Sequence, residues 1–401
     1  MRSLSTLLFA ILIAAGRSTS WALVNIPLTK LERTGSYFQG SLHADRDRAS
    51  SLKGRPTSGP RTIPASNLAY TQYTTSVGVG SPAAYYNLVV DTGSSKTFVG
   101  SYVRTSTSVP TGQDVNVSYW TGFFSGSEYY DTVTLAADFV ITNQSIGDAL
   151  QYADFGGVDG IIGVGPVDLT QGTLSPDANA LIPTVMNNAL KQGLIKKQTL
   201  GVLFAPATTY NDTNGVLTYG GIDHALYTGE ITYTPVTKIL PAAQFWGINV
   251  TCLTYGTHTF IPQSTAGIVD TGTTAVLLAD DFFAMYLDAT PGAYLGANNT
   301  GFIVILSSSV ADIQPLNFTI GGCVFSMDTA AQLIPLDQNA MFGGETGLQY
   351  GVIATRGADS GRGLDFAIGQ KFMERYYVVF DADDHRVGFA YTDHTFSTYL
   401  P

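Results

Sequence analysis

Two short stretches carry side chains arranged for chemistry. One is Val89-Val90-Asp91-Thr92-Gly93-Ser94-Ser95, the other Ile268-Val269-Asp270-Thr271-Gly272-Thr273-Thr274. Each runs from apolar residues into an aspartate and then into a tight turn of hydroxyl residues around one glycine. The glycine lets the backbone turn sharply, and the hydroxyls can hydrogen-bond a carboxylate. Two such turns facing one another would bring two carboxylates to one point. Paired carboxylates that share a proton supply an acid and a base together. Asp91 and Asp270 are therefore the candidate catalytic pair.

The rest of the chain must bring these turns together. Its 401 residues are 45% hydrophobic and 13% charged, ample for a core and for two or more domains. With 43 glycines, frequent Val, Thr, Tyr and Phe, and few long helical periods, the composition favours short strands and turns. A formal net charge of −11 and a pI near 4.7 argue against a nucleic-acid partner. Low charge density and low pI suit a protein that works in acid.

Residues 1–22 read as a secretory signal peptide: Arg2, an apolar run Leu4–Ala15, then small residues. The alternative, a membrane anchor, needs roughly 20 apolar residues, far more than this run offers. No later run is long enough, and Thr395–Pro401 lacks an apolar tail. A secreted, extracellular protein with no membrane partner is the expectation. Asn-x-Ser/Thr sequons at Asn116, Asn143, Asn211, Asn249, Asn298 and Asn317 then become candidate glycosylation sites. Cys252 and Cys323 either pair as a disulfide or remain buried thiols.

Residues 23–62 hold seven basic against three acidic side chains, whereas the body from residue 63 holds eleven against 28. A basic segment ahead of an acidic body reads as an electrostatically held propeptide, with Ser50–Arg61 as a linker. A disordered basic tail is the plainer reading. Ile63–Val90 alternates apolar and polar residues around Gly78-Val79-Gly80-Ser81-Pro82. No helix opens after that Gly-x-Gly, so it is a hairpin turn and not a nucleotide loop. A strong hairpin follows, Val115–Trp120 and Phe123–Leu135, then the buried run Asp159-Gly160-Ile161-Ile162-Gly163. Short helices are expected over Ile182–Gly193 and Ala279–Leu287. From about Gln244 the pattern restarts, and Ala367-Ile368-Gly369 stands to Asp270 as Ile161-Ile162-Gly163 stands to Asp91. This internal duplication predicts two related β lobes, residues 63–242 and 243–401.

On these motifs, with Tyr219-Gly-Gly-Ile-Asp223, Phe245-Trp-Gly-Ile-Asn249 and Arg375-Tyr-Tyr-Val-Val-Phe-Asp381, the chain resembles the pepsin-like aspartic proteases, and within them the polyporopepsin-like secreted fungal enzymes. The resemblance covers nearly everything after residue 63. It implies an all-β, bilobal pepsin-like acid protease fold with the cleft between lobes, and a water held by Asp91 and Asp270. It further implies that Ser94 and Thr273 bond the outer carboxylate oxygens. Thr92 and Thr271 would lock the turns together, and Gly93 and Gly272 would let N–H groups approach. Thr274 belongs to the same substrate-facing set. Tyr119 matches the flap tyrosine over the substrate, or is a plain cross-strand aromatic. Val89, Tyr119, Phe155 and Ile161 either line the pocket for the residue before the cut or belong to the core.

Several positions depart from the family pattern. Trp120, Gly122 and Phe123 crowd a flap tip that is normally slim. Phe98 replaces a tryptophan that hydrogen-bonds the flap tyrosine, and phenylalanine has no N–H to donate. Lys96 stands where Asn or Gln is common, and Phe366 and Gln370 replace Trp and Asp. The expectation is a monomeric zymogen that hydrolyses polypeptide substrates in acid, between apolar residues. Its own propeptide would act as inhibitor, pepstatin-type compounds would bind, and no metal or cofactor is needed. The five histidines form no His-Glu-x-x-His pattern. The rival reading is a catalytically silent secreted binding protein with a modified flap; a carbohydrate-binding β protein rests on strand content alone.

Overall fold

Two strand–turn–strand units of one design underlie the structure. The computed structural model describes residues 24–30, 73–118, 123–153, 158–206, 214–261, 263–296, 301–342 and 344–396. In the first unit Ala84–Asp91 lies parallel to Gly160–Gly163, with Asp91 opposite Gly163, and Phe98–Gly100 lies antiparallel on the far side. In the second, Thr265–Val269 lies parallel to Phe366–Ile368, and Val276–Leu278 is antiparallel on its far side. Each apolar-Gly run thus threads beside its own aspartate strand. Both are wholly buried, which is why they read as unbroken apolar runs without alternation. Their glycines are required by close approach. A Cβ on Gly163 would lie 2.5 Å from the Ser95 carbonyl carbon, and one on Gly369 2.2 Å from the Ala275 oxygen.

The fold is all-β and bilobal. A fourteen-stranded path carries the first unit, an eight-stranded sheet carries the second, and a three-stranded sheet flanks the latter. The lobes are stitched by strands from both halves: Tyr376–Asp381 pairs with Thr199–Leu203, and Arg386–Tyr391 pairs with Thr228–Pro235. The hairpin beside the first aspartate has arms Val109–Ser118 and Phe123–Ala136, and Phe139–Ala153 extends it with a third long strand. The expected helices form as Val185–Lys191 and Asp280–Ala289. Thr184 caps the first in a reciprocal box with Asn187, which satisfies backbone N–H groups that a helix start leaves open.

The structure adds one element and changes one expectation. Val24–Lys30, read as part of a propeptide without assigned structure, is a strand paired with Gly215–Tyr219 and with Tyr73–Thr74. Cys252 and Cys323 do not pair. Their strands, Gly247–Tyr255 and Cys323–Met327, are separated by Leu316–Ile320. Strands flanking a third lie about 9–10 Å apart, beyond the Cα separation of about 4.4–6.8 Å that a disulfide spans. Neither thiol is buried: Cys323 is exposed and Cys252 half-buried. The signal region, the linker, Tyr119, Trp120, Gly122, Phe155, Asn211 and Asn298 lie outside the described residues.

Candidate active site

Both aspartates end a buried strand, and each is held by its own turn. Asp91 Oδ1 accepts the Gly93 N–H at 2.9 Å, and Oδ2 accepts the Ser94 hydroxyl at 2.5 Å. Asp270 repeats the pattern, with Gly272 N–H on Oδ1 at 3.0 Å and Thr273 Oγ1 on Oδ2 at 2.6 Å. Asp91 is 1% exposed and Asp270 fully buried. These donors supply hydrogen bonds to both oxygens of each buried carboxyl group, as buried polar atoms require.

The two turns lock to each other. The Thr92 N–H donates to Thr271 Oγ1 at 2.9 Å, and the Thr271 N–H donates to Thr92 Oγ1 at the same distance. Thr271 Oγ1 also donates to the Val90 carbonyl at 2.8 Å, while its counterpart from Thr92 to Val269 is longer, 3.4 Å. The near-twofold junction therefore places one carboxylate on each side, one from each lobe.

Other groups brace this junction without having been assigned a role from sequence. Trp246 accepts the Val269 N–H on its carbonyl at 3.0 Å, and its indole N–H donates across the lobe boundary to the Val164 carbonyl at 3.4 Å. Val164 in turn donates to the Asp91 carbonyl at 2.9 Å. Trp246 thus touches the backbone support of both turns and walls a cavity of about 690 Å³ between the lobes. Gln370, noted from sequence only as a departure, donates from its side chain to the Thr271 carbonyl and from its backbone to the Thr273 carbonyl. The sole prior signal for Trp246 was its place in Phe245-Trp-Gly-Ile-Asn249, a motif that shows no partner.

Val89 and Ile161, 1% and 2% exposed, pack with Phe98, Phe124, Val115 and Val117 in a compact cluster under the hairpin. Val89 lies on the strand that ends in Asp91, and Ile161 opposite it on the parallel neighbour. Thr274 is also buried, and its carbonyl accepts the Lys371 N–H. Among the described sequons, Asn116 and Asn143 are exposed. Asn249 and Asn317 are half-buried, and their side chains bond Thr237, and Thr254 with Ser326, respectively. Among the described residues no cluster of three or more His, Cys, Asp or Glu could hold a metal, and no helix is long and apolar enough to cross a membrane.

A duplicated β fold with one aspartate turn from each lobe, interlocked where the lobes meet, defines the pepsin-like class of aspartic proteinases. The chain belongs to the eukaryotic aspartyl protease family, whose profile matches residues 72–392. It is 50% identical over 340 residues to polyporopepsin from Irpex lacteus, covering 84% of this chain and 98% of that protein. It is 28% identical over 352 residues to pepsin A from Sus scrofa, covering 82% and 83%. The crystal structure of the aspartic proteinase from Irpex lacteus superposes with a TM-score of 0.81 at 44% identity, covering 94% of this chain and all of that one. The activity of the class is aspartic endopeptidase activity on polypeptides.

Proposed function

We propose that the chain is a secreted endopeptidase, made as a zymogen, that cleaves between apolar residues in acid through a water held by Asp91 and Asp270. The interlocked turns carry this reading. One carboxylate is charged and removes a proton from the water. The other is protonated and hydrogen-bonds the scissile carbonyl oxygen. Attack gives a tetrahedral diol, and proton transfer to nitrogen releases the amine. Ser94, Thr273 and the Gly93 and Gly272 amides hold the carboxylates, and the threonine interlock keeps them in register. Because one chain supplies both turns, a monomer is sufficient. Incubation with acid-denatured haemoglobin between pH 2 and 6, with and without pepstatin, tests the reading. Asp91→Asn and Asp270→Asn should each abolish cleavage; retained, pepstatin-insensitive cleavage refutes it.

The strand Val24–Lys30 supports the zymogen reading. It lies within the propeptide, residues 23–62, yet completes the sheet that joins the lobes, and the Asn25 side chain bonds Asp223 and Thr218. Release of this strand leaves two strand edges unpaired, a state that proteins avoid, so activation must rearrange the sheet as well as uncover the cleft. Acid protonates the carboxylates that attract the basic segment and so favours release. Sequencing the N-terminus of acid-matured protein from culture medium tests both secretion and processing; a mature chain still beginning near Leu23 contradicts the scheme.

A further inference from the structure

The segment that leaves the first catalytic turn is pinned at consecutive residues. The Ser94 hydroxyl bonds Asp91, and the Ser95 hydroxyl bonds the Pro166 carbonyl at 2.7 Å. Lys96 then turns inward. Its ammonium lies 2.6 Å from Glu128 Oε1, and both side chains are 0% exposed. The Ser145 hydroxyl, on the adjacent strand, donates to the same Oε1. Two residues further on, Phe98 stacks on Phe124, ring centroids 4.0 Å apart at 17°. Glu128 and Phe124 share the hairpin arm Phe123–Ala136. A charge pair and a ring pair therefore clamp the catalytic segment to the arm that leads to the hairpin tip.

The two contacts do different jobs. Stacked rings tolerate sliding. A buried ammonium and carboxylate do not, because separation leaves each charge desolvated and uncompensated. Such a pair contributes little net stability relative to two well-packed apolar groups; what it adds here is a single permitted register between arm and turn. Burial pulls the Lys96 ammonium below its ordinary value, against the opposing pull of Glu128.

We propose that Lys96 and Glu128 are positioning residues that hold the segment after the Asp91 turn in register with the arm Phe123–Ala136, so that substrate binding and turnover depend on their pairing. The inference rests on the dyad reading above. The test compares Lys96→Met, Glu128→Leu and the double variant with the parent, as acid-matured enzyme. Rates are expressed per pepstatin-titrated site and measured well below each variant's own Tm. Each single variant should lose thermal stability, and the double variant should regain it. All three should show KM for a long peptide substrate raised roughly tenfold or kcat lowered by a similar factor, since a misplacement near 1 Å costs up to about 100-fold. Parental kcat and KM in the double variant, or in the single variants per titrated site, overturn the proposal and leave the pair a purely structural contact. Asp91→Asn in the same assay separates the two readings: cleavage by that variant refutes the dyad, whatever the pair does to KM.

Discussion

Replacing Thr271 by valine keeps the shape of the side chain and removes one oxygen. That oxygen accepts the Thr92 N–H at 2.9 Å and donates to the Val90 carbonyl at 2.8 Å, and every group involved is buried. Valine leaves both backbone groups without this partner. Each orphaned buried group costs about 1–3 kcal/mol, so Thr271→Val should destabilise by about 2–6 kcal/mol. Thr92→Val is the natural control. Its hydroxyl accepts the Thr271 N–H equally well, but its donated bond to Val269 is 3.4 Å, outside the usual range for an O–H donor. It should cost about half as much, about 1–3 kcal/mol. Guanidinium unfolding in an Asp91→Asn background, which prevents self-digestion, reads the difference directly. A Thr271→Val penalty no greater than that of Thr92→Val would show that the near-twofold junction is energetically symmetric and that this reading of the distances is wrong. With both aspartates intact, Thr271→Val should also lower kcat more than it raises KM, because the shift is in the reacting groups and not in the binding cleft.

Thiol titration should find both cysteines free, with Cys323 reacting in the native protein ahead of Cys252, which is only half-exposed; a mass spectrum of the unreduced protein lighter by two hydrogens argues against this. The Asp131 carboxyl offers a pH test. Burial pushes it up, but hydroxyls from Ser108, Thr107 and Tyr102 and the Thr132 N–H outweigh that effect and hold it below its ordinary value. A carboxyl lowered on folding stabilises fully above its unfolded value of about 3.9 and loses that contribution as pH falls through the folded value. Asp131→Asn should therefore be less stable than the parent at pH 5, and the gap should narrow below about pH 3; a constant gap from pH 2 to 6 would refute the assignment.

What the sequence revealed and what it concealed follow from the range of the forces involved. The two aspartate turns were legible because their chemistry is local: aspartate, hydroxyl and glycine lie within four residues of one another. The buried runs Ile161-Ile162 and Ala367-Ile368 were legible because two-sided burial removes alternation. The pairing of Val24–Lys30 with Gly215–Tyr219 was not, since nothing in a short strand names a partner nearly two hundred residues away. The burial of Lys96 was not legible, because lysine is rarely buried without a partner, and its partner, Glu128, sits on another strand. The cysteine pairing was left open from sequence, and sheet order decided it: the intervening strand Leu316–Ile320 is invisible to residue spacing.

The lobes are joined at several places: by the threonine interlock, by the Trp246 indole on the Val164 carbonyl, and by the shared sheet in which Tyr376–Asp381 pairs with Thr199–Leu203 and Arg386–Tyr391 with Thr228–Pro235. Displacing one lobe against the other therefore strains several junctions at once, the threonine interlock among them.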